Sequence, residues 1–320
     1  MLKVLRAGAP GFDPPAPTGP DWTLPADTVW IDLHEPTRDE ELAVERVLGL
    51  QLPTREEMLE IEPSSRIYQD GPSTFMTALV LYNTTSERPS AEPITFVLTN
   101  ERLVTIRYVD PKAFSLFVSQ AARQATLCPT AAQTFLGLIE AVVDRTADVV
   151  ERVAAEIEDV SRAVFADRHP DKYRDVLARL GRSQSVVAKV RDSLVSLSRL
   201  ASFASLADTI EHSPENNERL KSIARDVRSL LDHDTYLSSN ISFLLDTSLG
   251  LINIEQNAII KIFSVAAVAF LPPTLIASIY GMNFVHMPEL EWRLGYPFAV
   301  TLMVLSAIVP LLWFRKKGWL

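Results

Sequence analysis

The sequence has a single cysteine, Cys128, so no disulfide can form within the chain. So thiol-poor a chain fits a reducing compartment. It also lacks a cationic surplus. Thirty-one Lys and Arg face 40 Asp and Glu, a net charge of −9, which removes the broad basic face that nucleic acid requires. There is no phosphate loop, no nucleophile elbow and no zinc-protease helix. The five histidines, His34, His169, His212, His233 and His286, are scattered without ligand spacing. No catalytic residue and no cofactor are therefore expected. "DLHE" at 32–35 reads as surface-turn residues, and the acids of "VERVAAEIEDVSRAVFADR" as a solvated helix face. The opening "MLKVLRAGAPGFDPPAPTGP" has no apolar h-region, so a signal peptide is not expected. No internal repeat is visible, and nothing is of low complexity beyond the Pro-rich residues 1–25.

What is present divides into an α/β part, long helices and an apolar end. "VWIDLHEP" reads as a strand and turn, and "TRDEELAVERVLG" as a helix capped by Thr37. "TFMTALVLYN", "PITFVLTN" and "RLVTIRYV" have the β-rich composition and length of strands, with "TN-ER" as a hairpin turn. These place an α/β subdomain at 26–128. Helical patterning takes over from Asp110, with long helices from about Ala131 to Phe165 and Pro170 to Leu206. Leu230, Leu237, Leu244 and Leu251 recur every seven residues, a seam suited to a stalk helix from near Ser229. Long helices, stalk included, occupy 129–258.

Two apolar runs follow. Ile259 to Tyr280 is 22 residues, roughly 33 Å of helix, enough to cross a hydrocarbon core of about 30 Å. Its single charge, Lys261, lies at the start, where it can snorkel. Tyr296 to Phe314 carries no charge, and Arg315, Lys316 and Lys317 follow at once in the tail 315–320. The positive-inside rule puts that tail in the cytoplasm, and two spans then put the N-terminal part there too. The loop 281–295 falls outside. Trp292, Tyr296, Trp313 and Trp319 sit where interfacial aromatics belong. A pair of buried core helices is the competing reading; length, flanks and charge asymmetry argue against it. Pro272 and Pro273 free backbone carbonyls within the first span, which favours a packed assembly over a lone anchor.

On a helical wheel Asp246, Leu249, Asn253, Asn257, Ile260, Ser264, Ala267, Leu271, Thr274 and Ser278 fall within a sector of roughly 100°. Ile262, Phe270, Leu275 and Ile279 are read as the opposite, lipid- or neighbour-facing side. A polar stripe of this kind lines a water-filled path, or it glues packed helices through small and hydroxyl residues. Spacing alone fits both.

The loop carries the most specific signal. Tyr280-Gly281-Met282-Asn283-Phe284, then Met287-Pro288-Glu289-Leu290, Trp292 and Gly295-Tyr296-Pro297, a second span and "RKKGWL" together resemble the CorA family of bacterial magnesium channels. "INIEQNAIIKIFSV", "FLPPTLIAS" and "VWIDLHEP" are similar to other parts of the same family, so the likeness covers nearly the whole chain. The resemblance implies a homopentameric funnel in the bacterial inner membrane, passing Mg2+ and closed by internal Mg2+. Mg2+ is then substrate and regulator, with Co2+ and Ni2+ as further permeant ions and lipid as surroundings. It implies that Tyr280, Gly281, Met282 and Asn283 form the ion-selecting mouth, with Gly281 and Asn283 on hydrated Mg2+. Ile260 and Leu271 are implied as hydrophobic gate rings. Asp246, Asn253, Asn257, Ser264, Ala267, Thr274 and Ser278 are read as pore-lining. Glu289 and Glu291 would attract cations to the loop. The family's regulatory acids have no residue-by-residue match; Asp226 lies four residues from the expected stalk position. Two alternatives stand: a Zn2+, Co2+ or Ni2+ transporter of the same family, or a membrane-anchored sensor or scaffold.

Overall fold

A computed structural model describes residues 1–9, 11–14, 22–60, 62–124, 128–166, 170–283, 287–288 and 291–318. Two compact units divide it, Met1–Leu245 and Asp246–Leu320. In the first, β1 (Leu2–Arg6), β2 (Thr28–His34), β3 (Ile67–Asp70), β4 (Ser73–Tyr82), β5 (Ser90–Leu98) and β6 (Leu103–Arg107) form one sheet in the order β1-β2-β6-β5-β4-β3. Only β2 and β6 run parallel. Helices α1 (Arg38–Leu48), α2 (Arg55–Leu59) and α3 (Pro63–Arg66) lie between β2 and β3. After the sheet come α4 (Lys112–Ala121), α5 (Ala131–Ala166), α6 (Pro170–Ala204) and α7 (Asp208–Glu211). Helix α8 (Pro214–Tyr280) belongs to both units, and α9 (Gly295–Lys316) to the second.

Local chemistry sets these elements. Thr37 and Glu40 close a capping box: Glu40 N donates to Thr37 Oγ1 at 3.4 Å and Thr37 N to Glu40 Oε2 at 2.9 Å. Helix α1 ends at Gly49, whose φ of 69° a side chain would resist. The "TN-ER" turn joins β5 to β6, with Thr99 N donating to Arg102 O at 2.9 Å. Strand β3 pairs with β4 only as far as Met76. Further along, α6 covers that edge: Leu79 N donates to Ser196 Oγ at 2.8 Å, and Ser193 Oγ donates to Leu79 O at 2.7 Å.

The period of two sends alternate residues of β2 to opposite faces. Ile31 and Leu33 join Val44, Met58, Phe75 and Val104 in one core. On the other face Trp30 packs 6.2 Å from the ring of Phe114 and 5.9 Å from Phe117, and Phe96 meets Phe135 edge-on at 5.9 Å. Gly137 of α5 sits under this cluster. A Cβ there would lie 2.6 Å from Phe117 Cε2. Gly137→Ala should therefore cost about 1–3 kcal/mol despite alanine's better helix propensity. A denaturant midpoint unchanged from that of the parent chain would show that the ring yields freely.

Three expectations need correction. Residues 1–25 were expected to stand apart from the α/β unit, yet Leu2–Arg6 is a strand of the sheet, paired antiparallel with β2. Five residues beside a Pro-rich run give too short a period to read. Helix α8 begins at Pro214, not near Ser229, with proline at the first turn where its missing N–H is harmless. The third concerns Asp32, which is no surface-turn residue. It is fully buried and takes Arg107 Nε at 3.0 Å on Oδ1 and Nη2 at 2.9 Å on Oδ2. Thr105 Oγ1 donates to it at 2.8 Å, and Trp30 Nε1 donates to that hydroxyl at 2.9 Å. Burial works against the Arg107 charge, but the hydrogen bonds and fields of Asp32 and Asp110 raise its pKa overall.

Candidate ion path and mouth

Helix α8 continues unbroken through Gly250, Pro272 and Pro273 to Tyr280. Each proline lacks the N–H that would reach four residues back, so the carbonyls of Val268 and Ala269 lose their helical donors. Thr274 Oγ1 donates to Phe270 O at 2.7 Å, which ties that hydroxyl to its own helix.

The side chains of α8 in this unit are unequally covered. Asp246, Leu249, Asn253, Asn257, Ile260, Ala267, Leu271, Thr274 and Ser278 are exposed, and Ser264 is half-buried. The half-covered strip is Val265, Val268, Ala269, Pro272, Pro273 and Ile276. On a wheel its centre is roughly 140° from the centre of the stripe. Helix α9 has a matching strip: Ala299 and Phe314 are buried, and Met303, Ser306, Ala307 and Pro310 half-covered. Both recur every three or four residues, as in a helical hairpin packed on itself. The covered face thus includes Val268 and Ile276. Of the four residues read as the stripe's opposite, only Ile262 lies across the wheel from it, and Leu275 shares the angle of Asn257; Ile262, Phe270, Leu275 and Ile279 all stay open. Leu271 is 66% and Phe270 72% exposed, so a single chain leaves much of this helix bare of any apolar cover.

Both α8 and α9 hold segments long and apolar enough to cross a membrane, by length and composition. Trp292, Tyr296 and Trp313 are exposed, and Lys317 Nζ lies 5.9 Å over the Trp313 ring. Trp319 lies outside the described residues.

At the end of α8, Gly281 N still donates to Ala277 O at 2.9 Å, and Met282 N tightens to Ile279 O at 3.3 Å. A Cβ on Gly281 would press on that Ala277 oxygen at 3.0 Å. Gly281, Met282 and Asn283 are exposed, and Tyr280 is half-buried. A helix C-terminus also presents carbonyls that carry a partial negative charge. Neutral oxygens therefore gather at this point. Glu291 is exposed; Glu289 and Phe284 lie outside the described residues.

In the first unit, sequence reading missed an acidic group. Glu140, Asp144 and Asp148 recur every four residues on α5, and Asp226 of α8 acts on Asp144 with them. Burial first, then these three like charges, push the Asp144 carboxyl above its usual range. Glu140 is held by Arg219, with Nε at 2.6 Å, and Asp148 by Arg145 Nη1 at 2.7 Å. Asp144 and Asp226 have no hydrogen bond or ion pair among the described residues. The available signal was the i, i+4, i+8 spacing of acids, which an isolated helix disfavours.

Residues 25–316 match the family described as "CorA-like Mg2+ transporter protein". The chain belongs to the CorA family. It is 37% identical over 294 residues to the magnesium transport protein CorA of Salmonella typhimurium, covering 92% of each chain, and equally to that of Escherichia coli K12. The complete structure of the CorA magnesium transporter from Methanocaldococcus jannaschii superposes with a TM-score of 0.79 at 18% identity, over 100% of this chain and 99% of that one. That likeness shows the fold: an N-terminal α/β domain, long helices and two C-terminal apolar helices.

Proposed function

We propose that this CorA-family chain forms a homopentameric channel for Mg2+ in the bacterial inner membrane, with both termini in the cytoplasm. The observation that carries the reading is the bare stripe of α8, on the side away from the covered strip. Five copies arranged around an axis would turn that stripe into the wall of a path and bury the remaining apolar faces against each other and lipid. Asp246, Asn253, Asn257, Ser264, Ala267, Thr274 and Ser278 would line it. Ile260 and Leu271, eleven residues and about three turns apart, would form apolar rings that expel water and stop a hydrated ion.

At the mouth, the Gly281 carbonyl and the Asn283 amide oxygen would hold Mg2+ through its water shell. Mg2+ dehydrates reluctantly, so neutral acceptors select it without trapping it. Tyr280 and Met282 would shape this ring. Glu289 and Glu291 would raise the local cation concentration. The membrane potential supplies the drive: two inward charges at 100 mV are worth roughly 4.6 kcal/mol, so no nucleotide hydrolysis is required. Closure by internal Mg2+ is part of the same reading, with Mg2+ as regulator as well as substrate. Permeation by Co2+ and Ni2+ follows from the same hydrated-ion selection.

Thiol labelling tests the path. In a Cys128→Ala background, single cysteines at Asn257, Ser264 and Thr274 should react with small water-soluble reagents when the channel is open. Cysteines at Val268 and Ile276 should stay protected. Equal labelling on both faces would show that the stripe does not face water.

A further inference from the structure

The first unit contains a cationic cavity in an otherwise acidic chain. It has a volume of about 250 Å³ and lies between the β4–β5 turn and helices α5 and α6. Arg152, Arg179, Arg182 and Ser183 line it, with Val153 and Val186 as apolar wall. A second hollow of about 360 Å³ shares Glu87, Pro89, Arg182 and Val186 with it and adds Arg88 and Lys189. Among the described lining residues, five cations face two carboxylates, Glu87 and Glu156.

The charges are only partly spent. Arg152 Nη2 donates to Thr84 O and Lys189 Nζ donates to Pro89 O at 3.0 Å, which pins the turn. Arg179 Nε donates to Glu156 Oε1 at 2.7 Å. Arg182 has no hydrogen bond or ion pair among the described residues, although it lies at the junction of the two hollows. Ser183 is 4% exposed and lines the first hollow.

We infer that this double cavity is a binding site for a nucleoside di- or triphosphate. Guanidinium forks suit phosphate oxygens, and three arginines plus a hydroxyl converge on the first hollow. The Val153 and Val186 wall would take the flat, less polar part of the ligand, and Arg88 and Lys189 in the second hollow would take a further phosphate. The first hollow is smaller than the roughly 300–1,000 Å³ of small-molecule pockets and the second just within it, so the ligand must span both, and a mononucleotide suits them better than a dinucleotide. This inference is independent of the transport reading.

The test is equilibrium binding of Mg2+-free ATP to the full-length protein in detergent, with tripolyphosphate as a second probe. Saturable ATP binding is expected, weaker for tripolyphosphate. Arg182→Ala should weaken ATP at least about tenfold, the loss of one or two charge-assisted hydrogen bonds. Because Arg182 is exposed and makes no hydrogen bond among the described residues, its charge acting on Glu156 only at longer range, that variant should nearly keep the parental unfolding midpoint. Ser183→Ala should weaken binding less. No saturable binding, ATP affinity unchanged in Arg182→Ala, or tripolyphosphate bound as tightly as ATP would each overturn the assignment.

Discussion

Asn283→Ala should abolish Mg2+ uptake while leaving the assembled protein intact. Asn283 is exposed just past the end of α8, where no core depends on its side chain. Its amide oxygen would accept hydrogen bonds from water held by Mg2+, an ion that keeps its shell. One such bond is worth about 0.5–1.5 kcal/mol. Fivefold symmetry would multiply the loss to the order of 5 kcal/mol, roughly a thousandfold in occupancy of the mouth. Size-exclusion of the purified variant separates loss of transport from loss of assembly. Uptake at the parental rate by an intact assembly would remove Asn283 from the selection site.

Asp32→Ala should destabilise the first unit by about 3–5 kcal/mol, because it strands the buried Arg107 guanidinium. Arg107 would keep Asp110 Oδ1 at 2.7 Å and the Val109 carbonyl at 2.9 Å, but lose its two-point contact with Asp32. The hydroxyl of Thr105 would lose its acceptor as well. Replacing the pair together, Asp32→Leu with Arg107→Met, should cost much less, since no buried charge is then left unpaired and Asp110 is exposed to water. Chemical denaturation of each variant measures both. A double variant as unstable as Asp32→Ala would show that the loss comes from packing and not from the orphaned charge.

These residues also mark the limits of the sequence. Thr37 and Glu40 sit three apart, so their capping box was legible, as was the turn at Thr99–Arg102. The two apolar segments and their basic end were legible because twenty-odd uncharged residues leave few other solutions in water. Asp32 and Arg107 are 75 positions apart and meet only because β2 lies beside β6 in parallel, a pairing that no local pattern encodes. Asp144 and Asp226 have the same difficulty: each looks like a solvated helix acid until α5 and α8 come together. The covered strip of the hairpin is a third case. Val268 and Ile276 differ little in chemistry from Phe270 and Ile279, so composition could not say which face the second helix takes.

We propose that this chain conducts Mg2+ through a path lined by α8 and closes when internal Mg2+ rises. The most direct measurement is Mg2+ influx into liposomes holding the purified protein, under an inside-negative potential, with and without millimolar Mg2+ preloaded. Rapid influx into empty vesicles is expected, strongly slowed by preloading, with Ile260→Asn restoring a leak through the wetted ring. A protein that serves only as a membrane-anchored sensor would pass no ion under either condition, and that result would contradict the account.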